Sequence, residues 1–163
     1  MPKSRRNTVF LPIEDTLFAA KKRKALPHEF VLEALAPVEP RTHHMFGCLA
    51  VYAGEKIVMI LRDRETHTDD NGVWLATRKE HHASLQREFP SMRSIRLLGK
   101  KVTGWQVLPS DARDFEEAAL RACELILAAD PRIGKVPGER RARAGRAKAA
   151  GKKHSASRAR RRG

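Results

Sequence analysis

Met45-Phe46-Gly47-Cys48-Leu49-Ala50-Val51-Tyr52, then Ala53-Gly54-Glu55-Lys56, then Ile57-Val58-Met59-Ile60-Leu61 follow one another in this 163-residue chain. Two runs rich in β-branched and apolar residues, separated by a short turn containing glycine, predict an antiparallel hairpin. Gly47 marks a bend in the first run, because a residue without Cβ weakens a strand interior. A polar loop, Arg62 to Asp69, follows and ends in the turn signal Asp70-Asn71-Gly72. Val73-Trp74-Leu75-Ala76-Thr77 is then a third strand.

Outward from this hairpin the period changes from two to about 3.6. Upstream, Phe30, Val31, Ala34 and Leu35 share one helical stripe over about 28–36, and Pro37 and Pro40 stop it. Downstream, a helix of about 79–89 turns Leu85 and Phe89 inward and ends at Pro90. Two further strands, Met92–Leu98 and Gly104–Leu108, are joined by Gly99-Lys100-Lys101-Val102-Thr103. In the last helix Phe115, Ala119, Ala122 and Ile126 form a stripe that Leu120, Cys123 and Leu127 widen. Ser110 or Asp111 supplies its N-cap. The order α-β-β-β-α-β-β-α with short turns predicts an α+β fold, a two-layer antiparallel sheet with helices packed on one face. Trp74 and Trp105 are read as core aromatics, with stacking on bases as the alternative.

Charge divides the chain differently from the fold. Residues 1–27 hold seven Lys/Arg against Glu14 and Asp15, whereas 132–163 hold thirteen against Glu139 alone. The middle, 28–131, is slightly acidic, although the whole chain carries a formal +14. The expected organisation is therefore a basic leader over 1–27 with a short helix at Ile13–Lys24, a folded domain over 28–131, and a disordered Lys/Arg/Ala-rich tail over 132–163. Such a tail is solvated or neutralised by a polyanion, of which nucleic acid is the most abundant in a cell.

The candidate nucleic-acid contacts are Arg140, Arg141, Arg143, Arg146, Lys148, Lys152, Lys153, Arg158, Arg160, Arg161 and Arg162 in the tail. Arg93, Arg96, Lys100 and Lys101, on or beside the last hairpin, join them, with an edge-protecting role as the alternative. Guanidinium and ammonium groups bind phosphates by releasing condensed counterions, which gives affinity without sequence preference. DNA is expected ahead of RNA. A protein-interaction module, chaperone- or adaptor-like, whose tail docks an acidic partner or RNA, is the alternative from another class. Oligomeric state is left open.

Enzyme chemistry is not expected. The chain has no G-x-S-x-G, no P-loop and no G-x-G-x-x-G, so no catalytic residue is assigned. His43-His44, His67 and His81-His82 lack ligand spacing, and Asp63, Glu65, Asp69, Asp70 and Asn71 lack that of a calcium loop, so no metal or cofactor is assigned. Cys48 and Cys123 sit in apolar patterns and read as reduced core thiols. With no signal-peptide pattern at the N-terminus and no span of about 20 apolar residues, the expected address is cytoplasmic, associated with the nucleoid, and away from membranes.

Several local words carry a family resemblance. The helix Phe30–Leu35 precedes Met45-Phe46-Gly47 and a hairpin with Gly54 at its turn; Leu85-Gln86-Arg87-Glu88-Phe89-Pro90 ends a helix; Lys100-Lys101 precedes Trp105; Pro109-Ser110-Asp111 opens the last helix. In that order they resemble the TfoX N-terminal domain and the MmcQ/YjbR superfamily over about residues 28–129. The resemblance implies a two-layer, double-wing α/β fold of a DNA-binding kind, with Lys100 and Lys101 on its hairpin. The asparagine and histidine that flank the family's Lys-Lys-Trp are absent here. The tail is similar to the Ala/Lys/Arg tails of linker-histone-like and nucleoid proteins.

Overall fold

The computed structural model describes residues 25–139. They form one antiparallel six-stranded sheet in the order β1-β2-β3-β4-β6-β5, with three α-helices. The strands are β1 (Arg41–Met45), β2 (Cys48–Ala53), β3 (Lys56–Arg62), β4 (Gly72–Ala76), β5 (Arg93–Ser94) and β6 (Trp105–Pro109). The helices are α1 (Glu29–Ala34), α2 (Lys79–Glu88) and α3 (Phe115–Leu127). The α+β class and the antiparallel sheet are as the sequence predicts. The helix expected at 13–24 and residues 140–163 lie outside the described residues.

All three helices pack on one face. Val31 and Leu35 from the first helical segment, Leu85 and Phe89 from the second, and Ala118, Ala119, Ala122, Cys123, Leu125 and Ile126 from α3 meet Leu49, Val51, Met59, Leu61, Val73, Leu75 and Leu108 of the sheet. The alanines let α3 lie close, so its buried side differs from the expected stripe; Leu120 and Leu127 stay partly in water. On the other face Cys48, Ala50, Ile57, Ile60, Trp74, Ala76 and Val107 form a second cluster with Ile95. β3 from Ile57 onward and all of β4 are therefore buried on both faces, which explains their unbroken apolar character. A β-bulge sets the faces: Val51 pairs with Met59 and Tyr52 with Ile57, leaving Val58 extra. Val58 and Met59 both join the helix-side cluster, and Ile57 goes to the other.

Four expectations are corrected. First, the run from Met45 is not one bent strand. Phe46 and Gly47 both take left-handed backbone angles, φ 52° and 73°, so the chain reverses there and Met45 pairs with Cys48 across a two-residue turn. Arg41–Met45 becomes an edge strand that periodicity did not reveal, because four of its five residues are exposed and polar. Second, the strand expected at Met92–Leu98 is only Arg93–Ser94. The buried Asp70 carboxylate takes the backbone N–H groups of Arg96 (2.9 Å) and Leu97 (2.7 Å), removing them from the ladder. Third, α3 begins at Phe115 rather than at a Ser110 or Asp111 cap. The carbonyls of Pro109 and Ala112 instead accept from Ala112 and Phe115, both at 3.1 Å, in successive turns. Fourth, the tail does not start at residue 132. Ile133 is buried, Gly134 N–H donates to the Ala76 carbonyl at 2.7 Å, and Lys135 pairs with Ile57 as an added bridge.

Candidate nucleic-acid interface

The registers define two ends of the sheet. Gly72 faces Pro109 at one and Ala76 faces Trp105 at the other. At the Trp105 end the chain passes through the same few ångströms four times. Thr77 N–H donates to the Gly104 carbonyl at 2.9 Å, and Thr77 Oγ1 donates to the Arg132 carbonyl at 2.7 Å. Lys135 reaches the Gly104 carbonyl with its ammonium, which also stands 5.0 Å from the centre of the Trp105 ring. The Lys56 side chain lies against Gly134. α2 starts here, so Arg78 and Lys79 add two more cations. Arg78 Nη2 pairs with Glu139 at 2.7 Å, and Glu139 is the last described residue. The eleven Lys/Arg of 140–163, which include no acidic neighbour, thus continue from a point among Lys56, Arg78, Lys79 and Lys135.

His82 sits in the same group. Burial pushes its imidazole below the ordinary histidine value, and the nearby Lys135, Lys79 and His81 push the same way. Its Nε2 is buried without a hydrogen-bond partner among the described residues. Arg132 is tied inward by Asp130 (2.8 Å) and Glu88 (2.6 Å).

The Gly72 end is built differently. Arg62 is 2% exposed, and its guanidinium donates to the carbonyls of His67 (3.0 Å) and Thr66 (2.7 Å) and to Asn71 Oδ1. Asn71 also braces Arg64, accepting from its N–H at 3.0 Å and donating to its carbonyl at 2.8 Å. The polar loop from Arg62 to Asp69 is therefore wound around a buried cation held by carbonyl dipoles. Asp70 is its other anchor, with its carboxylate on Arg93 Nη1 (2.9 Å) and its carbonyl accepting from Trp74 Nε1 (2.7 Å). Burial raises the Asp70 carboxyl, but the Arg93 guanidinium and the Leu97 and Arg96 amides outweigh it and hold it below the usual carboxylate range. Asp63, Glu65, Asp69 and Asp111 stay exposed at this end. Gly72 has no space for a side chain: a Cβ would meet the Leu108 carbonyl and the Ser110 amide of the neighbouring segment.

The sequence-derived contacts are split by this geometry. Arg93 is 25% exposed and held by Asp70, with a further bond to the Asp69 carbonyl. Arg96 is 67% exposed, 3.6 Å from the Asp69 carboxylate. Lys100 and Lys101 are exposed in the loop between Leu97, whose amide Asp70 holds, and Gly104. The eleven tail residues from Arg140 to Arg162 lie outside the described residues. Sequence reading missed Lys56, Arg78, Lys79 and Lys135, which no local pattern joins. Their one signal is indirect, since the first three each flank a predicted strand end or helix start.

The other candidate chemistries have plain placements. His43 and His44 are adjacent and exposed on the edge strand, and His28 Nε2 bonds the Arg62 carbonyl at 3.0 Å. Among the described residues no group of three or more His, Cys, Asp or Glu could hold a metal ion. Trp74 is buried and Trp105 half-buried. Burial pushes the Cys123 thiol up to about 12. Burial also raises Cys48, against the pull of Arg62 and Arg64. Among the described residues no helix is long and apolar enough to cross a membrane. The chain matches no known family model, no curated protein and no solved structure.

Proposed function

We propose that this chain is a non-enzymatic nucleic-acid-binding protein, DNA ahead of RNA, in which residues 140–163 supply affinity and the Trp105 end of the sheet supplies a fixed platform. One observation carries the reading. The last described residue, Glu139, is tied to Arg78 beside Lys56, Lys79 and Lys135, so folded cations and tail cations would form one continuous electropositive region. A polyanion neutralised there gains from both, and the counterions it releases make the affinity steep in salt. At the Gly72 end the exposed carboxylates stand beside exposed Arg64 and Arg96, so that end offers phosphate no comparable excess of positive charge. The same order of motifs that resembles the TfoX and MmcQ/YjbR domains supports a DNA-linked role, and a cytoplasmic, nucleoid address belongs to the same proposal.

The test is a salt-titrated binding curve for duplex DNA with the full chain beside residues 1–139. With roughly six phosphates neutralised at once, the logarithm of affinity falls with that of salt at a slope near −5. Removal of the tail lowers affinity by about a thousandfold at physiological salt and flattens the slope. Full affinity in the tail-less chain, or none in the full chain at low salt, refutes the proposal.

A further inference from the structure

Nucleic-acid binding leaves without a role the groove that opens beside the first described residues, about 760 Å³ in volume. Its lining comes from three segments. Ala25 and Leu26 belong to the start of the described chain, Cys48 and Leu49 to the β1–β2 hairpin, and Asp63, Arg64 and Glu65 to the loop after β3. A volume of that size has room for several side chains.

Charge in the groove is unbalanced. Two carboxylates face one guanidinium, and that guanidinium is already engaged, since Arg64 Nη1 donates to the Phe46 carbonyl at 3.2 Å. Asp63 and Glu65 are exposed, and among the described residues neither forms an ion pair. Their neighbours differ, because Asp69 pairs with Arg96 and Asp70 with Arg93. The groove therefore sets apolar Leu26, Cys48 and Leu49 beside two unpaired carboxylates, a combination that suits an occupant both basic and partly apolar.

We infer that this occupant is the chain's own leader, residues 17–24, Leu17-Phe18-Ala19-Ala20-Lys21-Lys22-Arg23-Lys24, with its cations against Asp63 and Glu65 and its Leu17 and Phe18 against the apolar lining. Ala25, where the described fold begins, is itself part of that lining, and the four cations immediately precede it. At 3.8 Å between successive Cα atoms, Lys21 stays within about 15 Å of Ala25 whatever path the chain takes. So short a tether sets an effective concentration in the millimolar range, at which weak contacts suffice and a free basic peptide competes poorly. Nucleic acid and acidic peptides do not fit, because the two carboxylates repel them. Neither groove nor leader belongs to the Trp105-end platform, so this docking stands whether or not the tail binds DNA.

Initial rates of trypsin cleavage in the full, nuclease-treated chain test it. Seating hides the bonds after Lys21, Lys22, Arg23 and Lys24, so cleavage there proceeds only through the released fraction. Asp63→Asn with Glu65→Gln keeps the shape of both exposed side chains and speeds this cleavage about tenfold. Cleavage within 140–163 and the thermal midpoint stay as in the wild type. Leu17→Ser with Phe18→Ser, which leaves every residue of the described core in place, also speeds it several-fold. A wild-type rate at these four sites equal to that of either double variant overturns the docking. So does wild-type protection that fades on dilution from about 50 µM to about 0.5 µM, which would seat the leader of a second copy instead.

Discussion

The Trp105 end and the Gly72 end share one antiparallel frame but solve opposite electrostatic problems. At the Gly72 end the charges are structural: Arg62 sits buried inside its own loop, and Asp70 gathers Arg93 and two backbone amides. Removing any partner there leaves a buried polar group unmet. At the Trp105 end the charges lie at the surface, and Lys56 and Lys79 are exposed. Such charges add little to stability, because solvent screens them, yet they shape the field that an incoming polyanion meets. The lesson is that the buried charges at one end hold the fold, whereas the exposed lysines at the other lie in solvent, where the proposed binding would use them.

That contrast breaks most visibly at Asp70. Asp70→Ala takes the carboxylate from Arg93 and leaves the Arg96 and Leu97 amides without their acceptor, and costs about 3 kcal/mol, seen as a lower urea midpoint. Nucleic-acid affinity of the folded variant stays unchanged. A fall in affinity as large as the fall in stability would dissolve the distinction between the two ends.

Acid should act on the same anchor. The Asp70 carboxyl is held below its ordinary value, and Asp130 likewise, in its case chiefly by the Arg132 guanidinium. A depressed carboxyl gives stability that is fully present above its unfolded pKa of about 3.9 and lost as pH falls through the folded value. Urea midpoints measured from neutral pH downward should therefore drop only below about pH 4, and Asp70→Ala should show a shallower drop. An equally steep acid loss in Asp70→Ala would remove Asp70 from the account.

Charge reversal probes the other end with a smaller effect. Lys56→Glu with Lys79→Glu lowers DNA affinity by about tenfold at physiological salt, with little change in thermal midpoint. Asp63→Lys with Asp111→Lys, at the Gly72 end, changes affinity by no more than about twofold. Equal effects from both pairs would mean that the tail alone binds and the body has no preferred face.

The smallest expected signal is at His82. Its imidazole is depressed by burial and by Lys135, Lys79 and His81, so phosphate beside those cations should move its titration upward, toward the ordinary histidine value. Proton resonances of His82 followed with and without duplex DNA measure this. An unmoved His82 alongside tight binding places the contact elsewhere.

Much of the fold was legible in residue order, and the misses share a cause. The central hairpin, the third strand and all three helices in the described region follow from apolar period and from Pro and Gly punctuation. Arg41–Met45 escaped because an exposed edge strand carries no apolar alternation. Met92–Leu98 was overextended because a carboxylate more than twenty residues upstream takes its amides, which no local propensity reports. The tail's composition is visible in any reading. Its union with Lys56, Arg78 and Lys79 is not, since those residues are scattered along the sequence and meet only when β3, α2 and the segment after α3 reach the same end of the sheet.

Sequence by itself determined the α+β class, the apolar faces and the concentration of cations after residue 139, because period, turn chemistry and composition are local properties of the chain. Tertiary structure alone decided which end of the sheet those cations leave from, which charges are buried as anchors, and that Phe46 projects into water. Those outcomes depend on strand register and on hydrogen bonds between distant residues, where one carboxylate can redirect a strand.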